Sequence, residues 1–154
     1  MWLYLIIIFG GLGADQLSKW IATKVLTGSQ PIFLIPNTLG FLKLHNQGAA
    51  YNLLAGQLWF FLLISGVSVL ILGYYLIHNY RQRPLLSWGL ALLLAGTLGN
   101  ACDRLFSGYV VDFIYLNLAN LPFLNFVCNL ADIFITIGVI FLLGSLLKSE
   151  DKGY

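Results

Sequence analysis

The stretch NLADIFITIGVIFLL, residues 129–143, decides the fold class of this chain. It is apolar enough to lie in a membrane, yet it carries the carboxylate of Asp132 near its start. An isolated carboxylate in hydrocarbon costs about 2.5–3.5 kcal/mol even on lenient insertion scales. The stretch therefore indicates a membrane helix whose carboxylate has a partner, a chemical task, or both.

The composition extends this interpretation to the whole chain. Of its 154 residues, 59% are apolar and 9% are charged, whereas soluble globular proteins carry about 25% charged residues. The net charge of +2 is too small and too dispersed to indicate a nucleic-acid partner. We therefore expect residues 1–154 to form one integral membrane domain.

Four apolar stretches are long enough to span a bilayer, which requires about 20 residues. They cover residues 2–25, 58–77, 85–105 and 130–147. The loop HNYRQRP, which starts at His78, and the tail KSEDKGY, which starts at Lys148, both contain Lys or Arg. Because such residues are enriched in cytoplasmic loops, we expect both termini to be cytoplasmic.

Two segments then lie on the outer side of the membrane, residues 27–57 and 106–129. In the first, FLKLHN at residues 41–46 alternates with the period of a strand, which predicts a small β-sheet. The second is too apolar for a free loop and too interrupted for a span, so we expect a short interfacial helix or loop there. The predicted fold is thus membrane α-helical, with four transmembrane helices and a small extracytoplasmic β-sheet cradle.

Most of the acidic residues fall within or beside the spans, on the predicted outer half: Asp15, Asp103, Asp112 and Asp132. In the third span, small residues recur every four positions and lead to one of these acids: Ala91, Ala95, Gly99 and then Asp103. Small residues on one helix face permit close helix packing. We therefore expect a polar site inside the bundle, where the acids converge.

These acids also have structural interpretations. Asp15 and Lys19 are four residues apart on one helix, so they can neutralise each other. Asp132 follows Asn129 at a helix start, where both residue types act as caps. Asp112 lacks a neighbouring cation in the sequence and can be an interfacial loop carboxylate. Spacing alone leaves structural roles, catalysis and transport open.

The sequence gives little support for a metalloprotease or a serine hydrolase. The histidines are His45 and His78, the zinc motif HExxH is absent, and so is the serine-hydrolase motif GxSxG. We therefore predict no metal site and no cofactor.

Five short blocks occur in order along the chain: DQLSK at 15–19, HNQGAAY at 45–51, GNACDR at 99–104, VVDF at 110–113 and NLAD at 129–132. Together they resemble the lipoprotein signal peptidase family, also called signal peptidase II. The resemblance implies an aspartyl endopeptidase of the bacterial cytoplasmic (inner) membrane. It also implies removal of signal peptides from prolipoproteins, by cleavage on the N-terminal side of a diacylglyceryl-modified cysteine.

The resemblance also assigns roles to residues. The implied catalytic pair is Asp112 and Asp132, whereas Asp15 and Lys19 are implied to be architectural. The positions implied to bind substrate or support the site are Asn46, Gly48, Asn100, Asp103, Arg104 and Asn129. The implied partners are diacylglyceryl-modified prolipoproteins and membrane lipids. The active site is expected near the outer face, and the chain is expected to be a monomer.

One departure from the family pattern precedes Asn129. The run Phe126-Val127-Cys128-Asn129 has a cysteine where the family usually has an aromatic residue. The shape of the outer segment before the second catalytic aspartate therefore does not follow from the resemblance.

Two neighbouring carboxylates suit peptide hydrolysis, because one ionises while the other keeps its proton. The ionised group takes a proton from water, and the protonated group polarises the scissile carbonyl. Such a pair titrates as a unit, so the sequence does not assign the two roles. The helix start favours an ionised Asp132.

Two rival functions belong to other classes. A proton- or ion-coupled transporter predicts acids spread through the membrane depth and an internal repeat, and the sequence shows neither. A non-catalytic scaffold would use polar side chains to hold helices together. It predicts that Asp112→Asn and Asp132→Asn harm folding rather than chemistry.

Overall fold

The computed structural model describes residues 1–49, 52–117 and 125–150. Within them, four helices run from Trp2–Val25 (α1), Leu58–Asn79 (α2), Pro84–Ser107 (α3) and Leu130–Glu150 (α4). All four are long and apolar enough to cross a membrane. The helices confirm the four predicted spans, and three of them run a few residues beyond the predicted ends.

Four antiparallel strands form a sheet in the order β1-β2-β3-β4. They are β1 (Ile32–Ile35), β2 (Leu39–Asn46), β3 (Val110–Leu116) and β4 (Phe126–Cys128). The β1–β2 turn places Asn37 in the left-handed region, at φ 55°, a conformation that asparagine tolerates better than most residues. The predicted strand at 41–46 is confirmed as part of β2.

The second outer segment differs from the expected interfacial helix or loop. Its residues 110–116 and 126–128 are strands that extend the sheet. The run VVDFIYL is partly or fully buried throughout, so it lacks the apolar–polar alternation by which a half-buried strand is recognised. Residues 118–124 of this segment lie outside the described residues.

Helix α3 is the centre of the bundle, because it packs against each of the other three helices. Its Ala91 and Ala95 are fully buried, as the predicted small-residue face requires. The helix ends at Gly108, whose φ of 80° is left-handed and whose N–H donates to the carbonyl of Arg104 over 3.1 Å. Glycine adopts this terminating conformation without a steric penalty, and the chain then turns directly into β3.

Gly96 of α3 packs directly against the first turn of α4. A Cβ placed on it would collide with the backbone carbonyl oxygen of Ala131 and lie 2.7 Å from Cγ1 of Ile135. The carbonyl belongs to the first turn of α4, so it cannot move without displacing the start of that helix. Gly96 therefore sets the position of the residues that follow Asn129.

Replacing Gly96 by alanine should destabilise the protein by about 1–3 kcal/mol, the usual cost of overpacking a core. Thermal unfolding of the purified protein in detergent measures this change. Gly73→Ala in α2 is the matched control, because a Cβ there meets nothing within 4 Å and alanine is the better helix former. Equal unfolding temperatures for the two variants would contradict the packing argument.

Candidate active site

The start of α4 is closed by two reciprocal hydrogen bonds between Asn129 and Asp132. The backbone N–H of Asp132 donates to Oδ1 of Asn129 over 3.0 Å, and the backbone N–H of Asn129 donates to Oδ2 of Asp132 over 3.1 Å. This is the geometry of a capping box. The capping interpretation of Asp132 is thus confirmed, but it occupies only one carboxylate oxygen.

Two asparagine amides join Asp132 to Asp112. Nδ2 of Asn100 donates to Oδ1 of Asp132 over 2.9 Å. Nδ2 of Asn129 donates to Oδ1 of Asp112 over 2.6 Å and to Oδ1 of Asn100 over 3.2 Å. The two carboxylates, 20 positions apart in sequence, therefore belong to one hydrogen-bonded network.

The sheet holds the other side of Asp112. Its β2–β3 register pairs Leu44 with Asp112 and Asn46 with Val110. Nδ2 of Asn46 consequently reaches Oδ2 of Asp112, at 3.0 Å, while Oδ1 of Asn46 accepts the N–H of Gly48 at 2.9 Å. Gly48 has no room for a side chain, because a Cβ would collide with the carbonyl oxygen of Leu53.

Lys19 forms a buried charge cluster next to this network. Its Nζ lies 2.8 Å from Oδ2 of Asp15 and 2.9 Å from Oδ2 of Asp103. It also donates to Oδ1 of Asn100 over 2.9 Å. Because Lys19 occupies the amide oxygen of Asn100, the NH₂ group of that amide is turned towards Asp132.

Asp15 and Asp103 fasten the helices and the sheet around the site. Oδ1 of Asp15 accepts the backbone N–H of Ala131 in the first turn of α4 over 2.9 Å. Oδ2 of Asp103 accepts the backbone N–H of Val111 in β3, next to Asp112, over 3.1 Å. The Asp15–Lys19 ion pair predicted from the sequence is present. Asp15 also binds the backbone next to Asp132, and Asp103 binds the backbone next to Asp112.

Gln16 belongs to this cluster and was missed by the sequence analysis. Its Nε2 donates to Oδ1 of Asp103 over 2.8 Å and to the carbonyl of Gly99 over 3.1 Å. Its position in the block DQLSK, between Asp15 and Lys19, is the sequence feature that could have identified it.

Arg104 lies in the last turn of α3 and reaches across to the loop after β2. Its Nη2 donates to the carbonyl of Gly48 over 2.8 Å. Its Cζ lies 4.7 Å from the centroid of the Phe61 ring. The guanidinium is thereby restrained by the Gly48 carbonyl oxygen and by the face of the Phe61 ring.

A cavity of about 520 Å³ opens between the sheet and the helices. Its polar wall contains five of the residues predicted from the sequence: Asn46, Asn100, Arg104, Asp112 and Asp132. Much of the remaining wall was not predicted, and it includes Leu44, Val110, Tyr115, Phe126, Val127 and Cys128. These residues come largely from β3 and β4, whose strands the sequence analysis did not recognise.

Two titratable groups of the cavity wall, Asp112 and Cys128, have raised pKa values. Burial raises the pKa of Asp112 to about 6; the charge of Asp132 also raises it, and the hydrogen bond from Asn46 opposes the rise. Burial and the same two carboxylates raise the pKa of the Cys128 thiol to about 11. Asp112 is therefore a carboxyl group that gains a proton at mildly acidic pH, beside a thiol that stays neutral.

All ten residues singled out from the sequence lie in or beside this network. Gly48 and Asn129 are not part of the cavity wall but bond directly to Arg104 and Asp112, which are. Asp103 bonds to the backbone of Val111, which is adjacent in the chain to the wall residue Asp112. Lys19 lies behind the wall and bonds to the wall residue Asn100, whereas Asp15 bonds to the backbone of Ala131, next to Asp132. The expected convergence of Asp15, Asp103, Asp112 and Asp132 is thus present as one connected polar cluster.

The chain matches a protein family over most of its length. The model of the family described as signal peptidase (SPase) II covers residues 7–148. A lipoprotein signal peptidase of Lactiplantibacillus plantarum is 39% identical over 150 residues, which cover 97% of each chain. That of Bacillus subtilis is 35% identical over 150 residues, covering 97% of this chain and 96% of the relative.

The fold is also similar to a solved structure described as a bacterial membrane enzyme. The two superpose with a TM-score of 0.88 at 31% sequence identity, over 100% of this chain and 93% of the other. These matches confirm the resemblance seen in the five sequence blocks. The chain belongs to the signal peptidase II family, and it is a membrane peptidase of that type.

Proposed function

We propose that this chain is an aspartyl endopeptidase that removes signal peptides from prolipoproteins, with Asp112 and Asp132 as its catalytic pair. The cut falls on the N-terminal side of a diacylglyceryl-modified cysteine. The observation that carries the proposal is the placement of these two carboxylates on the wall of one cavity, linked by the amides of Asn100 and Asn129. Family membership supports the substrate class.

The geometry suits the two carboxylates to different steps. Each carboxylate accepts two N–H donors, but only Asp132 stands in the first turn of a helix, where the N-terminal end of the helix dipole favours a negative charge. We therefore assign Asp132 as the base that takes a proton from water. Asp112 is the better proton carrier because burial raises its pKa.

Hydrolysis then proceeds in two balanced steps. The water oxygen bonds to the scissile carbonyl carbon while one water proton passes to Asp132 and the Asp112 proton passes to the carbonyl oxygen. When the carbon–nitrogen bond breaks, the Asp132 proton moves to the leaving nitrogen and the hydroxyl proton returns to Asp112. Each carboxyl ends in the state in which it began, as a catalyst requires.

The remaining residues of the network are proposed to hold substrate or site in register. Asn46, Asn100 and Asn129 bond to the catalytic carboxylates, while Arg104 presents a cation to the cavity. Gly48 and Asp103 support Arg104 and β3 through the hydrogen bonds described above. The acyl chains of the substrate are proposed to lie among apolar side chains, since each buried CH₂ group contributes about 0.8 kcal/mol.

The location of the chain follows from the same proposal. It is a multi-pass protein of the bacterial cytoplasmic membrane, with both termini cytoplasmic and the cavity near the outer face. The charge bias of the loop and tail that contain Arg81, Arg83 and Lys148 supports this orientation. We propose a monomer that meets its lipidated substrate and membrane lipids within the bilayer.

A gel-shift cleavage assay tests the proposal. Purified protein in detergent receives a diacylglyceryl-modified prolipoprotein, and the same polypeptide without lipid serves as the matched control. We expect cleavage of the lipidated form alone, on the N-terminal side of the modified cysteine and unaffected by chelator. No cleavage by well-folded protein would favour the transporter alternative instead.

The pH dependence of kcat/KM tests the role of Asp112. Its protonated form is required and its pKa is about 6, so kcat/KM should fall as the pH rises through about 6. Asn46→Ala removes a hydrogen bond that lowers this pKa, and should move the descending limb to higher pH. A limb that stays at the same pH in this variant would contradict the assignment of Asp112 as the proton donor.

A further inference from the structure

Phe61 lies in the first turn of α2, a helix that contributes none of the residues singled out for the site. Its ring covers the guanidinium of Arg104, with 4.7 Å between Cζ and the ring centroid. Within the described residues, α2 packs mainly against α3. This contact links the first turn of α2 to Arg104 in the wall of the cavity.

The direction of the contact matters, because guanidinium is planar. Its five N–H donors all point outward in the plane, and none points along the face. One donor is occupied by the carbonyl of Gly48, which fixes one edge. The face of the Phe61 ring attracts the cation and restricts its position without accepting a conventional N–H hydrogen bond. Together the two contacts restrain the guanidinium and leave its remaining N–H groups to bind acceptors.

We propose that Phe61 is a positioning residue that aims the guanidinium of Arg104 at a substrate carbonyl in the cavity. This inference rests on the proposed function, because it needs a peptide substrate there. Without the ring, the long arginine side chain keeps its charge and its bond to Gly48 but gains freedom to tilt. Loss of the ring should therefore weaken substrate binding more than it slows the chemical step.

Steady-state kinetics of Phe61→Leu test this split. We expect KM to rise about fivefold, the range of a partly buried cation–π contact, with kcat within about twofold of wild type. Trp59→Leu is the matched control, because Trp59 lies in the same helical turn but is 80% exposed; its KM should not change. In an Arg104→Met background, which has no cation for the ring to contact, Phe61→Leu should raise KM no further.

A second series of variants at position 61 nearly preserves the shape of the phenylalanine side chain, so we expect these variants to fold like the wild type. Phenylalanine analogues with one, two and three ring fluorines at position 61 weaken the negative face of the ring progressively. KM should rise with each fluorine, and Phe61→Tyr should retain the wild-type KM. A KM that is insensitive to fluorination, or an effect of Phe61→Leu that is as large in the Arg104→Met background, would overturn the positioning role.

Failure of the inference is distinguishable from failure of the proposed function. A wild-type protein that cleaves the lipidated substrate with a KM independent of Phe61 refutes only the inference. A well-folded wild-type protein that cleaves nothing refutes both.

Discussion

Asp112→Asn and Asp132→Asn should each lower kcat/KM for the lipidated prolipoprotein by at least about 10²–10⁴-fold, the contribution of a general acid or base. Asparagine has nearly the shape of aspartate but neither takes nor gives the proton that hydrolysis requires. Since the two carboxylates act as one unit, the double variant should be little worse than either single variant. The measurement is the rate of product formation on a gel.

Two controls separate chemistry from folding in this experiment. Glu150→Gln, at the last residue of α4, is the control carboxylate-to-amide substitution and should retain full activity. Thermal unfolding should show that both aspartate variants are folded. Inactive, folded variants exclude the scaffold alternative, whereas full activity in either one would make the catalytic assignment wrong.

Lys19→Met is expected to have the largest effect on stability, at about 3–5 kcal/mol, the usual cost of removing one partner from a buried ion cluster. Lys19 is 3% exposed and neutralises two buried carboxylates, Asp15 and Asp103. Methionine fills a similar volume but leaves both acids without their cation. The yield of folded protein and its unfolding temperature in detergent measure the loss.

A lysine of the same helix provides the control for this prediction. Lys24→Met removes an exposed lysine from the last turn of α1 and should leave stability within about 0.5 kcal/mol. A triple variant, Lys19→Met with Asp15→Asn and Asp103→Asn, should recover part of the stability lost. If Lys19→Met unfolds at the wild-type temperature, the charge cluster does not contribute the stability assigned to it.

Local patterns predicted the helices well for a physical reason. A membrane span must be about 20 apolar residues long, so spans were visible within a few residues of their observed ends. The small-residue face of α3 was equally visible, because residues four apart share one side of a helix. These features depend only on near neighbours in the chain.

The sheet was harder to predict, because strand pairing joins distant segments. β3 pairs with β2, so that Asn46 meets Asp112 across 66 positions. Neither VVDFIYL nor FVC alternates apolar and polar residues, so only the pairing identifies them as strands. The apolar wall of the cavity, which contains Tyr115, Phe126 and Cys128, was missed for the same reason.

By itself, the sequence determined that this chain is a four-span membrane protein, which residues carry its charge, and which family its ordered motifs resemble. Composition and short motifs suffice for these conclusions, because they reflect the solvent and the chemistry of single residues. Only the tertiary structure decided how the charges pair: Lys19 with two acids, and Asp112 with Asp132 through Asn129 and Asn100. Hydrogen bonds act over about 3 Å, and the fold alone brings groups so distant in sequence within that range.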